Sequence, residues 1–174
     1  GEIDVSKWKY NVGVRAEQVW NNGETLEESE AFSNEYFNLF PSANLFYYTQ
    51  KRNNFKLSYS RRIVRPGLGQ LNPFTAITDS LNQRAGNPYL KPELIHSMEL
   101  GYSHSWQEAS LSISAFYRLR NNAIFPYTVL DENGVAFTQP LNFGTANTFG
   151  LEAIATYDPF SFWNINFSFS TYKV

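Results

Sequence analysis

From Trp8 to Trp20 the chain keeps a strict two-residue rhythm. Trp8, Tyr10, Val12, Val14, Ala16, Gln18 and Trp20 alternate with Lys9, Asn11, Gly13, Arg15 and Glu17. A period of two predicts an extended strand with one apolar and one polar face. The rhythm returns six more times: over Phe37–Tyr47 (more raggedly), Phe55–Tyr59, Leu94–Trp106, Leu111–Leu119, Phe149–Tyr157 and Trp163–Phe169. Short connections at 50–53, 107–109 and 158–161 alternate with long ones at Asn21–Tyr36, Ile63–Pro92 and Asn122–Asn147. The second long connection has room for a local helix. The third holds Asp131-Glu132-Asn133-Gly134, which reads as a turn between two short strands. The expected fold is all-β, an antiparallel up-and-down meander of about seven strands.

A soluble sandwich and a membrane barrel both alternate in this way. Three features favour the barrel. First, charge is excluded from the apolar faces. Charged residues make up 17% of the chain, yet only Arg61, at a strand end, falls on those faces. A charge at bilayer mid-depth costs about 2–4 kcal/mol, which accounts for the exclusion, although a dry soluble core excludes charge too. Second, aromatic residues collect at the strand ends. Trp8, Tyr10, Tyr47, Phe55, Trp106, Tyr157 and Trp163 fall at the short-turn end, and Trp20, Phe37, Tyr59, Tyr117 and Phe149 at the long-loop end. Two aromatic girdles around an aliphatic band match the two membrane interfaces. From Trp8 to Trp20 is roughly 40 Å at ~3.3 Å per residue. Tilted near 45°, that covers about 28 Å, close to the ~25 Å apolar band of outer-membrane barrels. Third, Ser, Asn, Gly, Arg, Lys and Glu dominate the opposite faces, as a hydrated or plugged lumen requires.

Composition closes other routes. The 174 residues contain no cysteine, which excludes a disulfide scaffold, a thiol nucleophile and Cys-ligated metal. A net charge of −2 argues against a broad basic face for nucleic acid. No apolar run is long enough for a transmembrane helix. The two histidines, His96 and His104, are eight residues apart on one face, about 26 Å, too far for one metal. G-x-S-x-G, G-x-G-x-x-G and P-loop motifs do not occur, so no enzyme and no cofactor are expected.

Several strings resemble a known family. Phe40-Pro41-Ser42-Ala43-Asn44-Leu45-Phe46-Tyr47, then Leu57-Ser58-Tyr59-Ser60-Arg61-Arg62-Ile63-Val64-Arg65-Pro66, resemble the barrel of TonB-dependent outer-membrane receptors, in the form of the Bacteroidetes outer-membrane β-barrel proteins. Leu71-Asn72-Pro73-Phe74 and the string Asn87-Pro88-Tyr89-Leu90-Lys91-Pro92-Glu93 match that family's loop and its N-P-x-L-x-P-E signature. Gly150-Leu151-Glu152 matches a later strand start. The resemblance covers about residues 8–174. It implies capture and import of a scarce ligand, such as siderophore-bound iron, cobalamin or a glycan, across the outer membrane of a Gram-negative bacterium. It also implies a plug domain and TonB as partners, beside the lipid bilayer.

The chain opens at Gly1 and closes at Val174 inside a strand pattern, so residues 1–174 read as part of a barrel, without plug, signal peptide or remaining strands. Such a piece leaves two edges unpaired and is expected to self-associate. A passive or structural outer-membrane barrel and a soluble carbohydrate-binding module are the alternatives.

Candidate site residues follow. Arg61, Arg62 and Arg65 cluster at the mouth of a long loop. They suit an anionic ligand, lipopolysaccharide phosphates, or acid partners on neighbouring strands. Arg118 and Arg120 point to the lumen near the same rim. Asn87, Pro88, Leu90, Lys91, Pro92 and Glu93 have a mechanical reading. The prolines hold extended geometry and need no ladder donor at a strand entrance, Gly86 supplies a positive φ, and Glu93 opens the lumenal row. Gly150, Leu151 and Glu152 are read as structural in the same way.

Overall fold

The structure is a computed structural model that describes residues 7–24, 31–49 and 52–174. Seven long strands dominate it: β1 (Trp8–Glu24), β2 (Ala31–Tyr48), β3 (Asn53–Val64), β6 (Glu93–Ser105), β7 (Ala109–Leu130), β8 (Ala136–Phe160) and β9 (Trp163–Lys173). Between β3 and β6 lie a single helical turn, α1 (Leu68–Leu71), and a small hairpin, β4 (Ala76–Asp79) and β5 (Asn82–Arg84). The long strands pair antiparallel in chain order, as the seven-strand meander requires. β5 adds in parallel to the start of β8, at Asn82–Arg84 against Ala136–Thr138. The sheet stays open, with β1 and β9 as the outer long strands.

The register keeps the two faces separate across all seven strands. Tyr10, Leu45, Leu57, Leu100, Ala115, Leu151 and Thr171 form one row. Because side chains alternate, a slip of one residue in any pair would turn that strand's apolar set inward. The apolar face covers no core. Val12 and Val14 remain 71% and 68% exposed, and only Phe40, Leu90 and Ala123 are buried hydrophobics among the described residues. A soluble module of this size would bury far more than that.

The strands are staggered. The row that begins at Trp8 passes Tyr47, Phe55, Tyr102, Ile113 and Ala153 and reaches Phe169. The turn-side tryptophan of β9 is Trp163, six residues earlier. Six residues over six strand steps is one residue per step. Placing Trp8 and Trp163 at one membrane interface, as the turn-side girdle requires, then sets a tilt of about 35°, with ~3.3 Å per residue and ~4.8 Å between strands, within the range that closes barrels.

The second girdle is less even than the sequence predicts. Tyr59, Tyr117 and Phe149 share a row with Val12, Ala43 and Met98, which begins eight residues short of Trp20 on β1 and climbs toward β9, so that Tyr59 is the lowest of the three rings. Tyr59 thus stands near mid-wall, where no water is available to a phenol. Its hydroxyl pairs with His96 Nδ1 at 2.9 Å on the next strand. His104 pairs with Asn53 and packs edge-on to Trp106.

The long connections also differ from expectation. In Asn122–Asn147 the turn at Asp131–Gly134 lies between two strands as expected, but these are no separate short strands: β7 and β8 continue, past a bend, to the five-residue turn, where the Asp131 amide donates to the Val135 carbonyl at 2.9 Å. In Asn21–Tyr36 the strands extend to Glu24 and from Ala31, and residues 25–30 lie outside the described residues.

Candidate functional site

The polar face carries the chemistry. Lys56 on β3 reaches Glu99 on β6 at 2.9 Å. Arg15 on β1 pairs with Glu17 at 3.1 Å and lies over the Phe40 ring of β2 at 4.9 Å. Lys9 lies over Tyr48 at 5.3 Å. Each is a cross-strand or same-strand neighbour pair of the kind a pleated face brings together.

Above them is a hollow of about 710 Å³ between β2, β3, β6, β7 and β8. Ser42, Ser58, Ser60 and Ser97 line its floor, and Arg62, Arg118 and Arg120 line its upper part. Arg62 and Arg120 share a row, with Ile95 of β6 between them. Arg120 Nε lies 3.8 Å from Glu93. Arg118 lies over the Phe116 ring at 4.4 Å. Among the described residues, neither Arg62 nor Arg118 has an acidic partner.

The three arginines of the expected cluster separate. Arg62 faces the hollow. Arg61 faces outward, and its Nη1 donates to the Leu39 carbonyl at 3.1 Å. The β2–β3 ladder stops at Ser42–Ser60, beside Pro41, so Leu39 has no partner on β3 and the guanidinium takes that place. Arg65 turns back to β1 and β2. Its Nε donates to the Tyr36 hydroxyl at 3.2 Å, and it ion-pairs with Glu17. Tyr36 first, then Glu17, hold its pKa above the ordinary value. Arg65 lies beyond the end of β3, where its partners place it; alternation separates Arg61 from Arg62, since consecutive strand residues cannot share a face. That same rule puts Arg62 with Arg118 and Arg120, a grouping visible only once the register is known.

The N-P-x-L-x-P-E segment runs beside the outer half of β8. The Asn87 side chain donates to the Pro140 carbonyl at 3.3 Å and accepts from the Tyr89 amide at 3.0 Å. Leu90 is 4% exposed. The Lys91 amide donates to Asn142 Oδ1 at 2.8 Å, and Asn142 Nδ2 donates to the Lys91 carbonyl at 2.9 Å. Glu93 is 7% exposed, and its Oε1 accepts from the Ile124 amide at 2.6 Å. Pro88 and Pro92 flank these bonds and donate none themselves. Gly86 needs its lack of a side chain for a different reason from the one the sequence suggests. It has no positive φ. A Cβ there would sit 2.5 Å from the Asn72 carbonyl oxygen and 2.6 Å from that of Gln70.

Gly150 is a second close approach. A Cβ there would meet the Thr171 carbonyl oxygen at 2.5 Å and the Phe116 ring at 2.7 Å. Phe116 opposes it on β7. Leu151 faces outward between Ala115 and Thr171, and Glu152 faces the lumen between Ser114 and Ser170.

Beyond Asn121 the ladder of β7 and β8 is interrupted. It passes from Asn121–Thr145 to Ala123–Phe143, and the skipped Asn122 and Gly144 both have positive φ, +53° and +35°. Phe125, just past this bend, lines the hollow with Arg118 and Arg120. The sequence motifs contain no signal for this bend except Asn122 and Gly144 themselves, two residue types that tolerate the left-handed region.

An open, tilted, antiparallel sheet with a bare apolar face and a polar, charged inner face is a segment of a membrane barrel. The model of the outer membrane protein beta-barrel family matches residues 2–174, and the chain belongs to that family. Its place is the outer membrane. No curated protein matches the chain. Solved structures share its fold. The siderophore receptor PirA from Pseudomonas aeruginosa is 20% identical with a TM-score of 0.67, over 92% of this chain and 34% of that one. The FrpB iron transporter from Neisseria meningitidis is 18% identical with a TM-score of 0.66, over 98% and 24%. The hemophore receptor HasR of Serratia marcescens, in complex with its hemophore HasA and heme, is 13% identical with a TM-score of 0.68, over 96% and 31%. The chain thus spans about a third or less of these receptors. The fold is a segment of their barrel wall, as the resemblance in the motifs implied.

Proposed function

We propose that this chain is the wall and part of the outer loops of a TonB-dependent receptor that captures a scarce anionic ligand and imports it across the outer membrane. The observation that carries the reading is the hollow on the lumenal face, where Arg62 and Arg118 have no acidic partner. Unpaired guanidinium groups in a polar recess attract anions and hold them with charge-assisted hydrogen bonds. Phe125 adds an aromatic wall to the same recess. The relatives of like fold include a siderophore receptor and an iron transporter, which favours a ferric chelate over a neutral glycan. Arg61 and Arg65 take supporting roles in this reading, because Leu39, Tyr36 and Glu17 already engage them. Partners of the lumenal face are a plug domain and, through it, TonB. The reading assigns no catalytic step and no resident cofactor.

The test uses the full-length gene product in outer membranes. Arg62→Ala with Arg118→Ala should weaken binding of an anionic ferric chelate by tenfold or more, since a bond to a charged group contributes about 1.5–3 kcal/mol. Uptake should stop in cells without TonB. Uptake that persists there supports the passive barrel instead. Unchanged binding in the double variant removes the arginines from the site.

A further inference from the structure

The bend at Asn122 and Gly144 needs an explanation. A left-handed Asn costs energy, and it persists only where its surroundings hold it. It also interrupts a ladder, so nearby backbone groups need other partners. Two side chains supply them. Asn142 Nδ2 donates to the Asn122 carbonyl at 2.7 Å. Glu93 Oε1 accepts from the Ile124 amide at 2.6 Å. The same Asn142 grips both backbone groups of Lys91, two residues before Glu93. The next residue of β7 after the bend, Ala123, is fully buried. The segment that leads into β6 is therefore bonded directly to the bend in the following hairpin.

We infer that Glu93, with Asn142, is a positioning residue for that hairpin. It fixes the sense of the bend and so decides which face of the outer half of β7 and β8 turns toward the lumen. The carboxylate is suited to this task. It is nearly buried, accepts a backbone N–H with one oxygen, and has Arg120 3.8 Å from the other. Without it the Ile124 amide is left without an acceptor in a closed space, and the outer half of the hairpin is free to take other orientations, with Phe125 no longer held at the hollow. The consequence for ligand capture rests on the function proposed above, but the conformational role does not.

The experiment is run on the full-length gene product in outer-membrane vesicles, with no ligand present. These 174 residues hold no cysteine; with any cysteine elsewhere in the full-length product replaced by serine, nitroxide labels are placed at Ser97→Cys in the hollow and Val129→Cys on the outer hairpin. Pulsed electron paramagnetic resonance should give one narrow distance in the parent. Glu93→Ala should lose it and give a broad distribution. Glu93→Gln should keep it, because the amide oxygen still accepts from Ile124. A narrow distance in Glu93→Ala, or a broad one in Glu93→Gln, overturns the assignment. If Glu93→Ala does not fold, judged by its migration on unheated gels, Asn142→Ala decides in its place: broad supports the role, narrow overturns it. Failure of the ligand reading would leave these distances unchanged.

Discussion

Glycine positions show how much a single atom can matter in a pleated wall. Gly150 sits where a Cβ would collide with the Thr171 carbonyl and the Phe116 ring. Backbone cannot retreat as a flexible side chain can. Gly150→Ala should therefore push Phe116 off its place and strain the β8–β9 pairing, at about 1–3 kcal/mol, the usual cost of overpacking. The check is the fraction of folded protein in a urea titration from lipid vesicles. No change in midpoint would mean that Phe116 moves aside freely. At this scale the sequence was informative about residue types and silent about partners. The motif at Asn87–Glu93 is plain in the chain, but Asn142 and Ile124, which hold it, lie 51 and 31 residues away from Lys91 and Glu93. Arg61, Arg62 and Arg65 looked like one cluster because they are close in sequence; alternation separates Arg61 from Arg62, and Tyr36 and Glu17 draw Arg65 away past the strand end.

Elements were legible where alternation was clean. β1, β6, β7 and β9 read directly, because a two-sided strand must alternate. The outer halves of β7 and β8 did not, since the ladder is interrupted at Asn122 and Gly144 and Ala123–Leu130 shows no clean period of two. The β4–β5 hairpin was also missed, as four- and three-residue strands are too short to show a period. Its turn makes a prediction. The Asp79 carboxylate accepts from the Leu81 amide at 2.8 Å and from the Asn82 side chain at 3.0 Å. The Leu81 amide first, and Asn82 after it, hold its pKa below the ordinary 3.8. A depressed carboxylate supports the turn at any pH above its ordinary pKa and loses that support as pH falls through the lower, folded value. Carbon-13 NMR of the Asp79 carboxyl should thus place its midpoint below 3.8, and Asn82→Ala should raise it. A midpoint at or above the ordinary value would mean that the turn does not hold its bonds in solution.

For the molecule as a whole, the exposed apolar face is the governing fact, since nothing among the described residues covers it. In lipid vesicles, Trp8, Trp106 and Trp163 should be quenched together by a quencher near the headgroups, because all three stand at the short-turn ends of their strands, where the interfacial girdle belongs. A soluble module would show no such common depth. In water the isolated chain should be oligomeric by light scattering, through β1, β9 or the apolar face. The fold class was readable at this scale because charge exclusion and the aromatic ends belong to every strand at once. The outer girdle was not, because its depth depends on the tilt, which appears only when the strands are registered against one another. That tilt has a further consequence. A wall that climbs one residue per strand behaves as a spiral stair of fixed pitch. Each added strand then widens its circumference by about 6 Å, the ~4.8 Å spacing measured along the slope. The bore of any closed barrel built on this pitch is thereby a matter of counting its strands.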